Sequence, residues 1–217
     1  MKITAAKNAF KIADVKIDHS DILSFIYKEY PNLVDENGKV LPKNFLKKNI
    51  GRVYLIVVNG TIVKIGGSEA AGGMQGTLSI YKDGGLNGQP SPRSIGVWWH
   101  LFHELVRGNK VEFFMIYQDS FKGDVKGLSG VKRQDVSISY KHIELACLAD
   151  YFAAEHKYPD WNYQENHTVW EAEIEELHKI TKANKGKKGT AKNLDFRGTL
   201  KKGGFNTKIK RNPSDYK

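Results

Sequence analysis

Cysteine occurs once in the 217 residues, at Cys147, which excludes an internal disulfide and any zinc site built on cysteine. No apolar run approaches membrane length, and the start lacks the basic lead, long apolar run and small-residue cleavage site of a secretory signal. The expectation is a soluble, cytoplasmic protein with no membrane partner. The glycine-dense run Gly67–Gly76 has no Gly-Lys-Ser/Thr closure, so it is not a phosphate loop of the nucleotide-binding kind. Acidic residues are scarce in one place above all. From Lys179 to the end, thirteen Lys and Arg stand against Asp195 and Asp215, a balance of +11 out of a net +10, so the rest of the chain sums to −1. A near-neutral body with a basic tail suits attachment to a polyphosphate, because each neutralised phosphate releases counterions. Lys185, Lys187, Lys188, Lys201, Lys202, Lys210 and Arg211 are the DNA-binding candidates there, with Lys132 and Arg133 in an upstream basic stretch. A tail that only keeps the chain solvated is the plainer alternative.

The length suits one domain with extensions, and its organising stretch is Gly51–Gly66, GRVYLIVVNGTIVKIG. Two β-branched runs separated by Asn59-Gly60 form the strongest local hairpin signal, since a type I′ turn needs positive φ at both central residues. Val53–Val58 and Thr61–Ile65 are therefore expected to pair antiparallel. Tyr54 and Lys64 interrupt runs that packing alone would fill with Val, Ile or Leu. Each is a site candidate, against the alternatives of a core-edge aromatic and a snorkelling surface lysine.

Residues 1–18 alternate weakly and suit a short strand or arm. His19-Ser20-Asp21 offers a cap before Ile22, Leu23, Phe25, Ile26 and Tyr30, whose spacing predicts an N-terminal helix ending at Pro31. Thr77–Tyr81 suits a short strand or helical turn, and Lys82–Pro92 a loop. Ile95, Trp98, Trp99, Leu101, Phe102, Leu105 and Val106 predict a helix capped by Ser94. Arg93 falls at its start, where the macrodipole gives a cation nothing, so it is a candidate for an external anion. His100 and Glu104 share a face of this helix without a third clustered ligand, which argues against zinc. Val111–Tyr117 reads as a third strand, and Asp119–Asp135 as a loop insertion. Ser139–Lys157 reads as a helix that carries Glu144 between Ile143 and Leu145, where a carboxylate must be solvated, paired or bound to a metal. Thr168–Ile180 is a further helix with a Thr168/Glu171 capping box. Beyond Thr181, scattered Leu194, Phe196, Leu200, Phe205 and Ile209 suggest an arm that orders on DNA or on another subunit.

Val53-Tyr54-Leu55 followed by Lys64-Ile65-Gly66 resembles the paired signature of the GIY-YIG nucleases, with Lys64 where the family usually has Tyr, as in some restriction enzymes. The resemblance extends to a Glu on a helix after the third strand and to Asn162 in Pro159-Asp160-Trp161-Asn162. It implies an α+β fold with a three-stranded antiparallel sheet flanked by helices, here with an N-terminal helix, loop insertions and a basic C-terminal arm. The segments are residues 1–50 as N-terminal extension, 51–165 as catalytic core and 166–217 as C-terminal helix and arm. It also implies a site in which Glu144 holds Mg²⁺ or Mn²⁺, Tyr54 activates or positions water, and Lys64 and Arg93 supply positive field. His100 serves as acid/base or phosphate donor, and Asn162 shapes the site. The short extensions look more like a type II restriction endonuclease than a repair or homing enzyme. Cutting both strands of double-stranded DNA then calls for a homodimer or higher symmetric assembly. The rival functions are a non-catalytic DNA-binding protein and a metal-independent glycosylase acting on bases.

Overall fold

The computed structural model describes residues 1–17, 23–82, 91–118, 121–126 and 132–183. Its elements are β1 (Phe10–Ile17), β2 (Leu23–Tyr27), β3 (Arg52–Val58), β4 (Thr61–Ser68), α1 (Gly73–Lys82), α2 (Pro92–Val106), β5 (Val111–Ile116), β6 (Phe121–Lys126), β7 (Lys132–Ile138), α3 (Tyr140–Glu155) and α4 (Ala172–Ala183). The fold is α+β. One sheet has five strands in the order β2-β1-β5-β3-β4, and β6 and β7 form a separate pair.

The central hairpin forms as its turn chemistry requires. Asn59 and Gly60 take φ of 48° and 76°, and Val58 faces Thr61 across the turn. Arg52, Tyr54 and Ile56 face Ser68, Gly66 and Lys64, while Val53 and Leu55 face Gly67 and Ile65, with an irregularity after Ile56. Strand alternation therefore puts Tyr54, Ile56, Lys64 and Gly66 on one face and Val53, Leu55, Ile65 and Gly67 on the other. The second face packs on α3. Val53, Leu55, Val57 and Ile65 form a buried cluster there with Leu148 and Tyr151. Each fully buried side chain of this size stabilises by about 1.5–3 kcal/mol.

Three expectations are corrected. The predicted N-terminal helix around Ile22–Tyr30 is strand β2, with Leu23 buried and Ile26 47% exposed. Its apolar residues fit both periods over so short a window, and pairing wins: the Lys28 N–H just beyond the strand donates to the Ile12 carbonyl at 2.7 Å. The sheet has five strands, not three, because β1 and β2 extend it beyond β5. The Asp119–Asp135 insertion contains β6 and continues into β7, with Phe121 facing Ile138; its glycines and lysines masked a pairing carried by residues such as Val125 and Val136. Two smaller shifts concern the helices. Ser91, not Ser94, caps α2, accepting the Ser94 N–H at 3.2 Å with Pro92 in the first helical position. Thr77–Tyr81 lies inside α1.

The chain divides into two compact units built from discontinuous segments. The first comprises Met1–Asp14, Ile26–Thr77 and Glu112–His167, and the second Val15–Phe25, Leu78–Val111 and Thr168–Lys217. The first holds the hairpin, β5 and α3. In the second, α2 packs on α4: Gly96 has no side chain, so the Trp170 ring sits against its backbone, and Ile174 is fully buried beside it. No described helix is long and apolar enough to cross a membrane.

Candidate active site at strand β4

Strand β4 ends the sheet; Met1–Ile3 bridge its outer side at Gly60–Ile62, and among the described residues no strand pairs with that side at residues 64–67. Side chains from three other elements converge on its residues 64–67. The Tyr54 ring reaches across from β3 and lies over Gly66, where a Cβ would come within 2.6 Å of the phenol oxygen. Tyr54 is 3% exposed and its ring stands 6.3 Å from that of Phe113. Lys64 occupies the same face, 5% exposed, and its Nζ donates to the Trp161 carbonyl at 3.2 Å. An ammonium buried to this degree is costly unless hydrogen-bonded.

Glu144 arrives on the opposite face, from the second turn of α3. Its Oε1 accepts the Gly67 N–H at 2.7 Å, a hydrogen bond that fixes the carboxylate on the strand edge. Gly67 has to be glycine for this, because a Cβ there would run into the Glu144 carboxylate and the Tyr140 ring. Tyr140, one turn before Glu144 on α3, occupies a slot between two glycines. Cβ atoms on Gly51 and Gly67 would come within 2.7 and 2.8 Å of its ring. Asn162 is 2% exposed and completes the edge: its Oδ1 accepts the Ile65 N–H and its Nδ2 donates to the Ile65 carbonyl, both at 2.9 Å. Next to it the Trp161 N–H donates to the Val63 carbonyl at 2.9 Å.

Four of the six catalytic candidates thus lie along one stretch of strand β4: Tyr54 and Lys64 on one face, Glu144 on the opposite face, and Asn162 at the edge. Arg93 and His100 belong to the second unit. Arg93 is exposed in the first turn of α2. His100 Nε2 lies 3.7 Å from Glu171 Oε1. Glu104, four residues on, is occupied otherwise: its carboxylate accepts from Arg107 Nη1 and Asn109 Nδ2. His103 packs its ring 4.5 Å from that of Trp99, and burial, with Arg107 and His100 adding to it, brings its pKa down to about 4. The Cys147 thiol is pushed up to about 11 by burial, which leaves it protonated and unreactive at neutral pH. Lys132 and Arg133 lie on β7, and Lys185, Lys187, Lys188, Lys201, Lys202, Lys210 and Arg211 lie outside the described residues, as does the arm beyond 183.

Sequence reasoning passed over Tyr140 and Arg52. Arg52 is 1% exposed at the start of β3, and burial lowers its pKa, though a guanidinium stays charged. An arginine opening an apolar strand, directly after a glycine, was the signal available for it.

Among the described residues no group of three or more His, Cys, Asp and Glu is placed to hold a metal ion. One fixed, half-exposed carboxylate does fit a hard cation that keeps most of its own waters, which is how Mg²⁺ and Mn²⁺ bind where carboxylates are few. No family model matches the chain, and no curated protein matches it. Among solved structures it is similar to a mutant of bacteriophage T4 EndoII, with 17% identity over 74% of this chain and 95% of that one, at a TM-score of 0.42. It is also similar to the restriction endonuclease HPY188I in complex with product DNA, with 21% identity over 72% of this chain and 81% of that one, at a TM-score of 0.37.

Proposed function

We propose that the protein is a divalent-metal-dependent, site-specific endonuclease that hydrolyses phosphodiester bonds of double-stranded DNA, in the manner of a type II restriction enzyme of GIY-YIG type. The observation that carries this reading is that Tyr54, Lys64, Glu144 and Asn162 all lie at residues 64–67 of one edge strand, the first two on one face and Glu144 on the other, together with the resemblance of the two tripeptides that place the first two. Hydrolysis needs a water aligned with the leaving oxygen, positive charge where the phosphorane develops, and a proton for the departing oxygen. Glu144 is the metal's protein ligand in this proposal. A bound Mg²⁺ or Mn²⁺ would supply Lewis acidity at the phosphate and acidify a water. Tyr54 orients the attacking water through its hydroxyl. A phenol is a weak base at neutral pH, so the hydroxyl positions the water rather than deprotonating it, and Lys64 stands on the same face of the hairpin. Asn162 keeps β4 in register at Ile65. Arg93 is assigned to a phosphate of the DNA and His100 to proton transfer or phosphate donation, and the basic residues of β7 and of the tail to the DNA backbone. Two strands call for two sites, hence a homodimer or higher symmetric assembly.

The test is to incubate the purified protein with plasmid DNA in Mg²⁺ and, in parallel, in EDTA, and to read the products on a gel. Discrete fragments in Mg²⁺ alone are the expected result. Retarded but intact DNA in both would replace the proposal with a binding protein. Breaks that appear only after alkali would replace it with a glycosylase.

A further inference from the structure

Arg52 buries a full positive charge beside neutral atoms. Its Nη1 donates to the carbonyls of Lys48, at 3.3 Å, and Ile50, and its Nη2 reaches the Ala70 carbonyl at 3.1 Å, Thr77 Oγ1 at 3.3 Å and Ser68 Oγ at 3.5 Å. Its buried Nε has no hydrogen-bond partner among the described residues, and no described carboxylate comes within ion-pair distance of the guanidinium. Its acceptors continue the connection: Ser68 Oγ and Thr77 Oγ1 are 2.7 Å apart, Ser68 Oγ accepts the Ala70 N–H at 3.3 Å, and Thr77 Oγ1 donates to the Gly73 carbonyl at 3.3 Å. One planar group therefore ties the chain entering β3 to the whole turn that leaves β4 and opens α1. Glu69 acts on the guanidinium electrostatically without an ion-pair contact, and burying an ion without a contacting counter-ion costs more than burying an apolar side chain of similar volume, so packing alone does not account for the charge.

What the guanidinium holds lies one rung from the candidate site. Arg52 faces Ser68, and the next rungs pair Val53 with Gly67 and Tyr54 with Gly66. Gly67 gives its N–H to Glu144, and Gly51 and Gly67 together make the slot for Tyr140. We propose that Arg52 is a positioning residue of the cleavage site: by clamping Ser68–Thr77 against the start of β3 it fixes Gly66 and Gly67, and through them the Tyr54 hydroxyl and the Glu144 carboxylate. This rests on the nuclease reading for its consequence in catalysis, but the clamp itself is a structural statement that can be tested apart from it.

The variant is Arg52→Lys in the full-length protein, which keeps a cation but replaces a five-donor fork by a single point. Three quantities are read: the single-turnover cleavage rate across Mg²⁺ concentrations, DNA retardation in EDTA, and amide hydrogen exchange over residues 66–77. With DNA affinity within about twofold of the wild type, the rate falls about 100-fold, as a displacement of roughly 1 Å at a site can produce. The Mg²⁺ midpoint rises and exchange over 66–77 quickens. An unchanged rate and Mg²⁺ midpoint, measured well below both melting temperatures, overturn the proposal whatever the loss in Tm. Should Arg52→Lys fail to fold, Thr77→Val removes one acceptor and leaves the arginine, with smaller changes in the same directions expected and the same criterion applied. If the wild type binds DNA but never cuts it, the nuclease reading fails and exchange alone decides: faster exchange over 66–77 in the variant sustains the clamp, and unaltered exchange overturns it.

Discussion

Gly67 and Gly96 each admit a ring where a methyl group would collide, yet the two rings belong to different kinds of structure. At Gly67 the space holds Tyr140 and the Glu144 carboxylate, and the glycine's own N–H is the carboxylate's anchor. At Gly96 it holds Trp170, packed between α2 and α4 with Ile174. The first glycine brings polar groups onto a backbone whose donors and acceptors bond side chains rather than a further strand. The second closes a helix pair whose backbone is already satisfied within the helices. Both units contain histidines, acids and aromatics, so composition does not separate them. A strand edge whose polar groups are met by side chains rather than by a further strand does.

That contrast can be broken in three ways. The largest effect is expected at the carboxylate. Glu144→Ala should lower cleavage by about 10³-fold, the scale of losing a charge-stabilising group, while DNA retardation in EDTA stays as in the wild type; retained cleavage would remove Glu144 from the chemistry. Next come the glycines themselves. Gly67→Ala and Gly96→Ala should each cost about 2–3 kcal/mol of stability, the upper range for overpacking. Only Gly67→Ala should also depress cleavage at a temperature where both variants are folded, so equal activity loss in the two would dissolve the distinction. The smallest effect belongs to His103 in the helical unit. Burial holds it near 4 against an ordinary 6.5, so between those values the unfolded chain takes up a proton that the folded unit refuses. Stability is fully present above about pH 6.5 and is lost as pH falls toward 4, by about 1–2 kcal/mol after allowing for partial exposure of the ring. Arg107, His100, Glu104 and Glu173 also act on this ring. The check is therefore the difference in melting between wild type and His103→Phe across that window, and a difference independent of pH would refute it.

The hairpin was legible because its signal is local: Asn59-Gly60 dictates the turn, and the β-branched flanks dictate the pairing. Helices α2 and α3 were legible for a similar reason, since long stretches with a consistent period leave little choice. Strand β2 was not, because Leu23, Phe25, Ile26 and Tyr27 satisfy either period over five residues, and only the neighbouring β1, distant in no local pattern, selects one. The pairing of β6 with β7 was hidden behind Gly123, Lys126 and Lys132, which carry loop composition into a ladder. At the site, Tyr54 and Lys64 stood out as polar residues in apolar strands. Arg52 and Tyr140 did not, because what distinguishes them is a set of backbone carbonyls in one case and two glycines sixteen residues apart in the other. Such partners are assembled by folding and leave no spacing rule behind.

Strand β4 has a second liability besides chemistry. An outermost strand offers a row of donors and acceptors on which another chain can add itself, edge to edge. Here Trp161 covers the carbonyl of Val63, Asn162 covers both polar atoms of Ile65, and Glu144 covers the N–H of Gly67. The same side chains that define the candidate site thus serve as plugs against intermolecular β-addition. Inactivating the protein at Glu144 or Asn162 would also uncork that edge, and the purified variants should then lose monodispersity on storage sooner than a variant silenced at Tyr54.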